Sequence, residues 1–230
     1  MSGDLTLHYF PVAQPSRALK WLLLLSGAPH KDQIVNIFAG ENNTPEFLAK
    51  NPAGTVPMLE VNGSFINESG AALIYVGSKY PSKYYPEDLV TRALINEVLL
   101  RHDSLSRYVT KELIVPLAFS GKPYEELKVA MAAGSAAINP SHAYLELILT
   151  QRGTKFLCGD EPSIADIQTI CEYNQLPLLA PLLPEGYADL KEYPKLRAYI
   201  ELCKTIPHHD AQLAGFNAAV GGMIAAKLPK

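Results

Sequence analysis

The chain has 230 residues, 48% of them hydrophobic and 19% charged, enough for one large domain or two small ones with their own cores and far from a disordered composition. Its 20 basic and 23 acidic residues form no block of like charge, which removes nucleic acid from the expected partners. The longest uncharged stretches, 129–145 and 213–226, are rich in Ala and Gly and broken by Ser, Asn, Pro or His, so no membrane span is expected either.

The opening Met-Ser-Gly-Asp carries no basic region ahead of an apolar run, and Ser2 stands where myristoylation requires glycine, so a cytoplasmic location is expected. Leu5, Leu7 and Tyr9 alternate, which predicts a strand over 5–10. From Ser16 the spacing of Leu19, Leu22 and Leu23 is helical, and Gly27 and Pro29 end that helix. Residues 33–38 are a second short β-rich run, and Thr44-Pro45-Glu46 is a helix start with a capping hydroxyl and Pro at the first helical position. Residues 56–61 and 64–67 flank Asn62-Gly63, the residue pair of a tight hairpin turn. A helix follows over 69–80.

Strands joined through a helix run parallel and strands joined by a two-residue turn run antiparallel, so this half is a small mixed sheet with helices on its faces. The order β-α-β-α-β-β-α is thioredoxin-like. Pro81, Ser82 and Pro86 interrupt the pattern, and beyond Asp88 only helical periodicity remains, punctuated by Pro116, Gly121, Pro123, Pro140, Gly153 and Pro177. The expected organisation is an α/β thioredoxin-like domain over 1–80, a linker over 81–88 and an all-α domain over 89–230. Cys158, Cys171 and Cys203 are odd in number and far apart, which fits buried, reduced thiols. The six histidines lack metal spacing and are expected on the surface, with no metal bound.

Two segments carry chemistry. In Asn51-Pro52-Ala53-Gly54-Thr55-Val56-Pro57-Met58-Leu59 a proline opens a strand. By itself this reads first as a loop-to-strand turn, but a cis Val56–Pro57 bond would turn the main chain of Val56 outward to pair with an extended peptide ligand. Glu68-Ser69 then opens a helix directly after the hairpin, where free amides, a hydroxyl and the positive end of the helix dipole meet. That spot suits a carboxylate, and Glu68 suits an ammonium group, although a plain helix cap is the commoner use of such a serine.

Together these segments resemble the glutathione site of the cytosolic glutathione transferases, and the likeness extends over nearly the whole chain. Tyr84-Tyr85-Pro86-Glu87-Asp88 with Arg92 is similar to the interdomain joint of the theta and delta classes. Residues 156–167, FLCGDEPSIADI, are similar to the family's buried helix start, with Ser163 and Asp166 as a reciprocal capping box. The resemblance implies the glutathione transferase fold. It also implies glutathione as co-substrate with no other cofactor, a hydrophobic electrophile as second substrate, conjugation as the reaction with peroxidase activity beside it, and a homodimer serving detoxification. A non-catalytic binding relative is the alternative.

At the catalytic position the chain departs from its nearest classes, because Ala13 stands where theta and delta enzymes place a serine. The alpha- and pi-like start aligns Tyr9 with their catalytic tyrosine, and Tyr9 is the expected donor to the thiolate. Ser16 either caps the first helix or takes that role. The resemblance further implies Thr55, Val56, Pro57, Glu68 and Ser69 as glutathione contacts. Asn42 and Asn43 fall at the glycyl end and otherwise belong to a turn. Arg107 aligns with an arginine near the sulfur, and Asp103 lies near the position from which one subunit of family dimers touches the other's glutathione amine; both equally suit a solvated surface. Val12, Arg101, Tyr108 and Phe216 are expected to line the electrophile pocket.

Overall fold

In the computed structural model, which describes residues 5–227, the first half runs β1 (Leu5–Tyr9), α1 (Gln14–Leu25), β2 (Lys31–Ile34), α2 (Pro45–Leu48), β3 (Met58–Val61), β4 (Ser64–Ile66) and α3 (Ser69–Lys79). The reading of the first four residues as leaderless lies outside the described residues. The sheet order is β2-β1-β3-β4. β1 is parallel to β2, with Thr6 opposite Lys31, and antiparallel to β3, with Leu7 opposite Leu59. One face buries Leu5, Leu7 and Leu59 against Leu19, Leu22 and Leu23 of α1 and Leu73 and Val76 of α3. Removing such side chains from water is what holds the layers together. A smaller cluster of Val35, Phe47 and Met58 lies apart from this core.

The second strand sits earlier than the expected 33–38. The Asn36 side chain accepts the amides of Phe38 and Ala39, and this local bonding draws 37–39 into a short 3₁₀ turn instead of a ladder.

The second half is helical among the described residues: α4 (Leu89–Arg101), α5 (Val115–Phe119), α6 (Tyr124–Arg152), α7 (Ile164–Tyr173), α8 (Leu176–Leu179), α9 (Pro194–Cys203) and α10 (His209–Lys227). Between α4 and α5 the helical path widens into two π turns, His102–Ser106 and Thr110–Ile114, a distortion that often accompanies functional sites. Gly134 lets α6 cross this stretch closely: a Cβ there would lie 2.6 Å from the Glu112 carbonyl oxygen.

Pro140 does not divide α6, which continues through it. The carbonyl that loses its helical partner belongs to Ala136, on the exposed side of the helix. All ten residues of α7 are buried. Its capping box forms as expected. Asp166 accepts the Ser163 amide and hydroxyl, both at 2.7 Å, and also the Leu157 amide at 2.9 Å.

The histidines correct another expectation, since His8, His102, His142 and His209 are buried. Three of them face polar partners: His8 meets Glu60 at 2.9 Å, His209 meets Asn174 at 3.0 Å, and His102 lies 3.6 Å from the Glu172 carboxylate. His142 instead packs among the rings of Tyr173, Tyr187 and Tyr193, and burial lowers its pKa to about 4. All three cysteines are free and buried, and burial pushes the Cys158 and Cys171 thiols up to about 12. No group of three or more His, Cys, Asp or Glu among the described residues is arranged to hold a metal ion. No helix among them is long and apolar enough to cross a membrane.

Candidate functional site

A cleft of about 240 Å³ opens between the two halves. Pro15, Thr55, Val56, Pro57, Asn67, Glu68 and Ser69 form its α/β wall, and His102, Asp103, Arg107 and Gln168 its helical wall. Seven of the expected ligand contacts thus share one cavity.

The loop before β3 is pinned from both sides. Asn51 donates to the Thr55 carbonyl at 2.8 Å, and Asn42 donates to the Gly54 carbonyl at 2.7 Å. Asn42 and the neighbouring Asn43 shape this loop and do not line the cleft. The Val56–Pro57 bond is cis. Among the described residues neither the amide nor the carbonyl of Val56 is paired with other main chain, so both remain open to an extended ligand.

α3 begins at the cleft with Glu68 at its N-cap, and that side chain makes no capping bond. The first amides of α3 therefore face the cavity beside the Ser69 hydroxyl, a combination that binds carboxylates. Glu68 and Asp103 add negative charge at the rim and Arg107 adds positive charge, a pattern suited to a zwitterion.

At the other end, α1 starts at Ala13, which also offers no capping oxygen. Arg107 reaches this end: its Nη1 donates to Gln14 Oε1 and to Glu172 Oε1, each at 3.0 Å. Glu172 is fully buried. Its Oε2 accepts the Thr110 amide at 3.0 Å and the Thr110 hydroxyl at 2.6 Å, and also takes an N–H from Gln175 at 2.9 Å. Burial alone would raise its pKa, but His102, Arg107 and Thr110 outweigh that and hold the carboxyl below its usual value. Arg107 is thus anchored by a charged group while remaining partly open to the cleft.

Tyr9 lies elsewhere. It is not among the cleft's lining residues; Lys20 sits 6.0 Å from its ring, and burial, followed by the Asp32 carboxylate, raises its phenol above the usual tyrosine value. Ser16 is fully buried, its oxygen accepting the Phe10 amide at 3.3 Å. Of the residues expected around an electrophile, Val12 and Tyr108 are half-buried. Phe216 is fully buried under the Arg17 guanidinium, 4.4 Å from its ring. Arg101 turns outward over Tyr144 and toward Glu97.

Sequence reasoning missed an aromatic series that links the two halves. Phe38 stacks edge-on to Phe10 with ring centroids 5.2 Å apart, and lies 5.5 Å from Phe119 of α5. Phe38 and Phe119 are exposed, and Phe10 lies in the short connection between β1 and α1. It also missed His102 and Gln168, which carry no motif of their own.

Comparison with known proteins identifies the family. The N-terminal domain of glutathione S-transferases matches residues 5–78, and the family's C-terminal domain matches residues 111–211. Glutathione S-transferase T1 of Arabidopsis thaliana is 32% identical over 210 residues, covering 86% of this chain and 83% of that protein. Human glutathione S-transferase theta-2 is 30% identical, covering 84% and 81%. Among solved structures, a glutathione transferase homologue from Drosophila mojavensis with bound glutathione superposes with a TM-score of 0.80 at 26% identity, covering 98% of each chain. With both halves matched in order and the relatives covered over most of their length, the chain belongs to the glutathione S-transferase family.

Proposed function

We propose that the cleft binds glutathione and that the protein transfers it, as a thiolate, to hydrophobic electrophiles. The observation that carries this reading is the convergence on one cavity of two helix starts without side-chain caps, an unpaired Val56 main chain and the charges of Glu68, Asp103 and Arg107. Ser69 and the first amides of α3 take the γ-glutamyl carboxylate, Glu68 and Asp103 take its ammonium, and Val56 pairs with the cysteinyl main chain.

The sulfur then falls at the start of α1. A thiol of pKa ~8.5 brought to ~7 needs about 2 kcal/mol of preference for the anion, and one charge-assisted hydrogen bond supplies ~1.5 to 3 kcal/mol. Arg107, anchored by Glu172 and adjacent to Gln14, is the proposed donor, with the α1 amides beside it. Tyr9 suits the role less, because its raised pKa makes it a weaker acid and it does not line the cleft. The aromatic series of Phe10, Phe38 and Phe119, with Val12 and Tyr108, offers the electrophile an apolar face near the same helix start.

Pairing of two chains, a cytoplasmic setting and a detoxifying purpose complete the proposal on the strength of the family alone. Retention on immobilised glutathione tests the binding, and turnover of a generic aryl halide separates an enzyme from a binding relative. Ultraviolet titration of the bound thiol tests the donor. Arg107→Leu is expected to raise its pKa by about one unit or more, whereas Tyr9→Phe and Ser16→Ala leave it within a few tenths. A shift in Tyr9→Phe alone returns the role to the tyrosine.

A further inference from the structure

The Ser69 hydroxyl does not stand alone at the cleft. Gln168, from the middle of α7, donates from Nε2 to Ser69 Oγ at 3.1 Å. Its own main-chain carbonyl accepts Gln14 Nε2 at 2.7 Å, and Gln14 Oε1 in turn accepts Arg107 Nη1 at 3.0 Å. A single series therefore links Ser69 at the carboxylate end of the cleft to Arg107 at the sulfur end, through Gln168 and Gln14.

We propose that Gln168 is a positioning residue for the γ-glutamyl carboxylate, holding the Ser69 oxygen as an acceptor so that its hydrogen is left for the ligand. The inference rests on the reading of the cleft as a glutathione site. A hydroxyl has one hydrogen and two lone pairs; one that accepts from Gln168 keeps its hydrogen, while one that donates to Gln168 has none to give. The direction of this bond decides whether Ser69 meets a carboxylate as a donor or as a repelling lone pair.

Two features fix the direction. Gln168 Oε1 is buried without a donor, but the reversed amide would instead leave an NH₂ group, with two hydrogens, without an acceptor in the same place, which is the costlier omission. The side chain is also only 3% exposed, on a helix whose every residue is buried and whose start is tied down by Asp166, so it holds its position whether or not a ligand is present. Because Glu68 and Asp103 both stand at the rim, a carboxylate is welcome only where donors face it. An oriented Ser69 hydroxyl thus sets which way round the amino-acid end of the ligand binds.

The test compares glutathione with its analogue lacking the γ-glutamyl carboxylate, 4-aminobutanoyl-cysteinyl-glycine, by calorimetric titration of the intact protein. Gln168→Met, close in volume, is expected to weaken glutathione about tenfold and the analogue less than twofold, and to leave the bound thiol's titration unchanged. Gln168→Asn keeps the amide but falls short of Ser69 and is expected to behave alike, which covers the case in which the Met variant does not fold. In a Ser69→Ala background, Gln168→Met should add less than a twofold loss. Equal weakening of both ligands, no weakening of either, or a full loss persisting in the Ser69→Ala background overturns the proposal. Wild-type protein that binds neither ligand overturns the glutathione reading itself.

Discussion

Several helix starts of the helical half carry an acceptor that the two α/β helices at the cleft lack, whereas α2, away from the cleft, is capped by Thr44. In the helical half, Asp88 caps α4 by accepting the Thr91 amide at 2.8 Å, Asp166 closes the start of α7, and Glu146 reaches from α6 to take the first amides of α9 at 3.1 and 2.8 Å. α6 opens at the surface with Glu125 and Glu126 in its first turn. In the α/β half, α1 and α3 have neither a capping oxygen nor an acid in the first turn, and both begin at the cleft. Orphan amides at a helix start seek an acceptor. Where the protein supplies one the helix end is structural, and where it withholds one beside a cavity the amides stay free for a ligand.

The strongest way to break this contrast is Asp166→Ala. It strips acceptors from the Ser163 and Leu157 amides inside the protein, and about 3 kcal/mol of stability should be lost in denaturant titration, with glutathione affinity of the folded fraction unchanged. A weaker ligand affinity would show that α7's cap serves the site directly.

His142 sharpens the contrast from another side, being a buried polar group with neither a protein partner nor a place in the cleft. Its folded pKa of about 4 lies below the ordinary 6.5, so the unfolded chain takes up a proton first as pH falls. Stability should therefore decline between about pH 6.5 and 4, by up to about 3 kcal/mol. His142→Leu should flatten that part of the melting profile; a profile identical to wild type would remove His142 as its cause.

Ser69→Ala acts at an open helix start, and should cost glutathione about tenfold in affinity while leaving the unliganded melting temperature within a degree or two. A large fall in melting temperature would make Ser69 a structural cap after all. The smallest effect belongs to Asp88→Ala at the surface. The Thr91 amide and hydroxyl hold the Asp88 carboxyl below its usual pKa, so its contribution is present at neutral pH and fades as pH falls through the carboxylate range. Wild type and variant melts should converge in acid.

The α/β wall of the cleft was legible because Thr55, Val56, Pro57, Glu68 and Ser69 lie within a few residues of one hairpin, so local chain geometry carries them together. The helical wall was legible only in part, since Arg107 and Asp103 were expected there and His102 was not. His102 opens a π turn, where an extra residue per turn shifts which side chains face inward and a 3.6-residue period no longer marks them. Gln168 was hidden for a related reason: a fully buried helix has no polar face to mark which residue turns toward a site. Tyr9 shows the limit of position alone. It ends β1 as expected, but burial, with the Asp32 carboxylate on the neighbouring strand, raises its phenol pKa, and it does not line the cleft. The early β2 and the buried histidines fail similarly, since Asn36's local bonding and the partners of His8 and His209 are decided by the fold.

The burial of the cysteines has a consequence for the chemistry of the whole protein. Reagents that alkylate thiols react with the thiolate. With Cys158 and Cys171 pushed up to about 12 and Cys203 well above its ordinary value, the protein's own sulfurs stay protonated and shielded at neutral pH. An electrophile arriving at the cleft then meets one reactive sulfur, the one the ligand brings, and the catalyst is spared modification by the compounds it consumes.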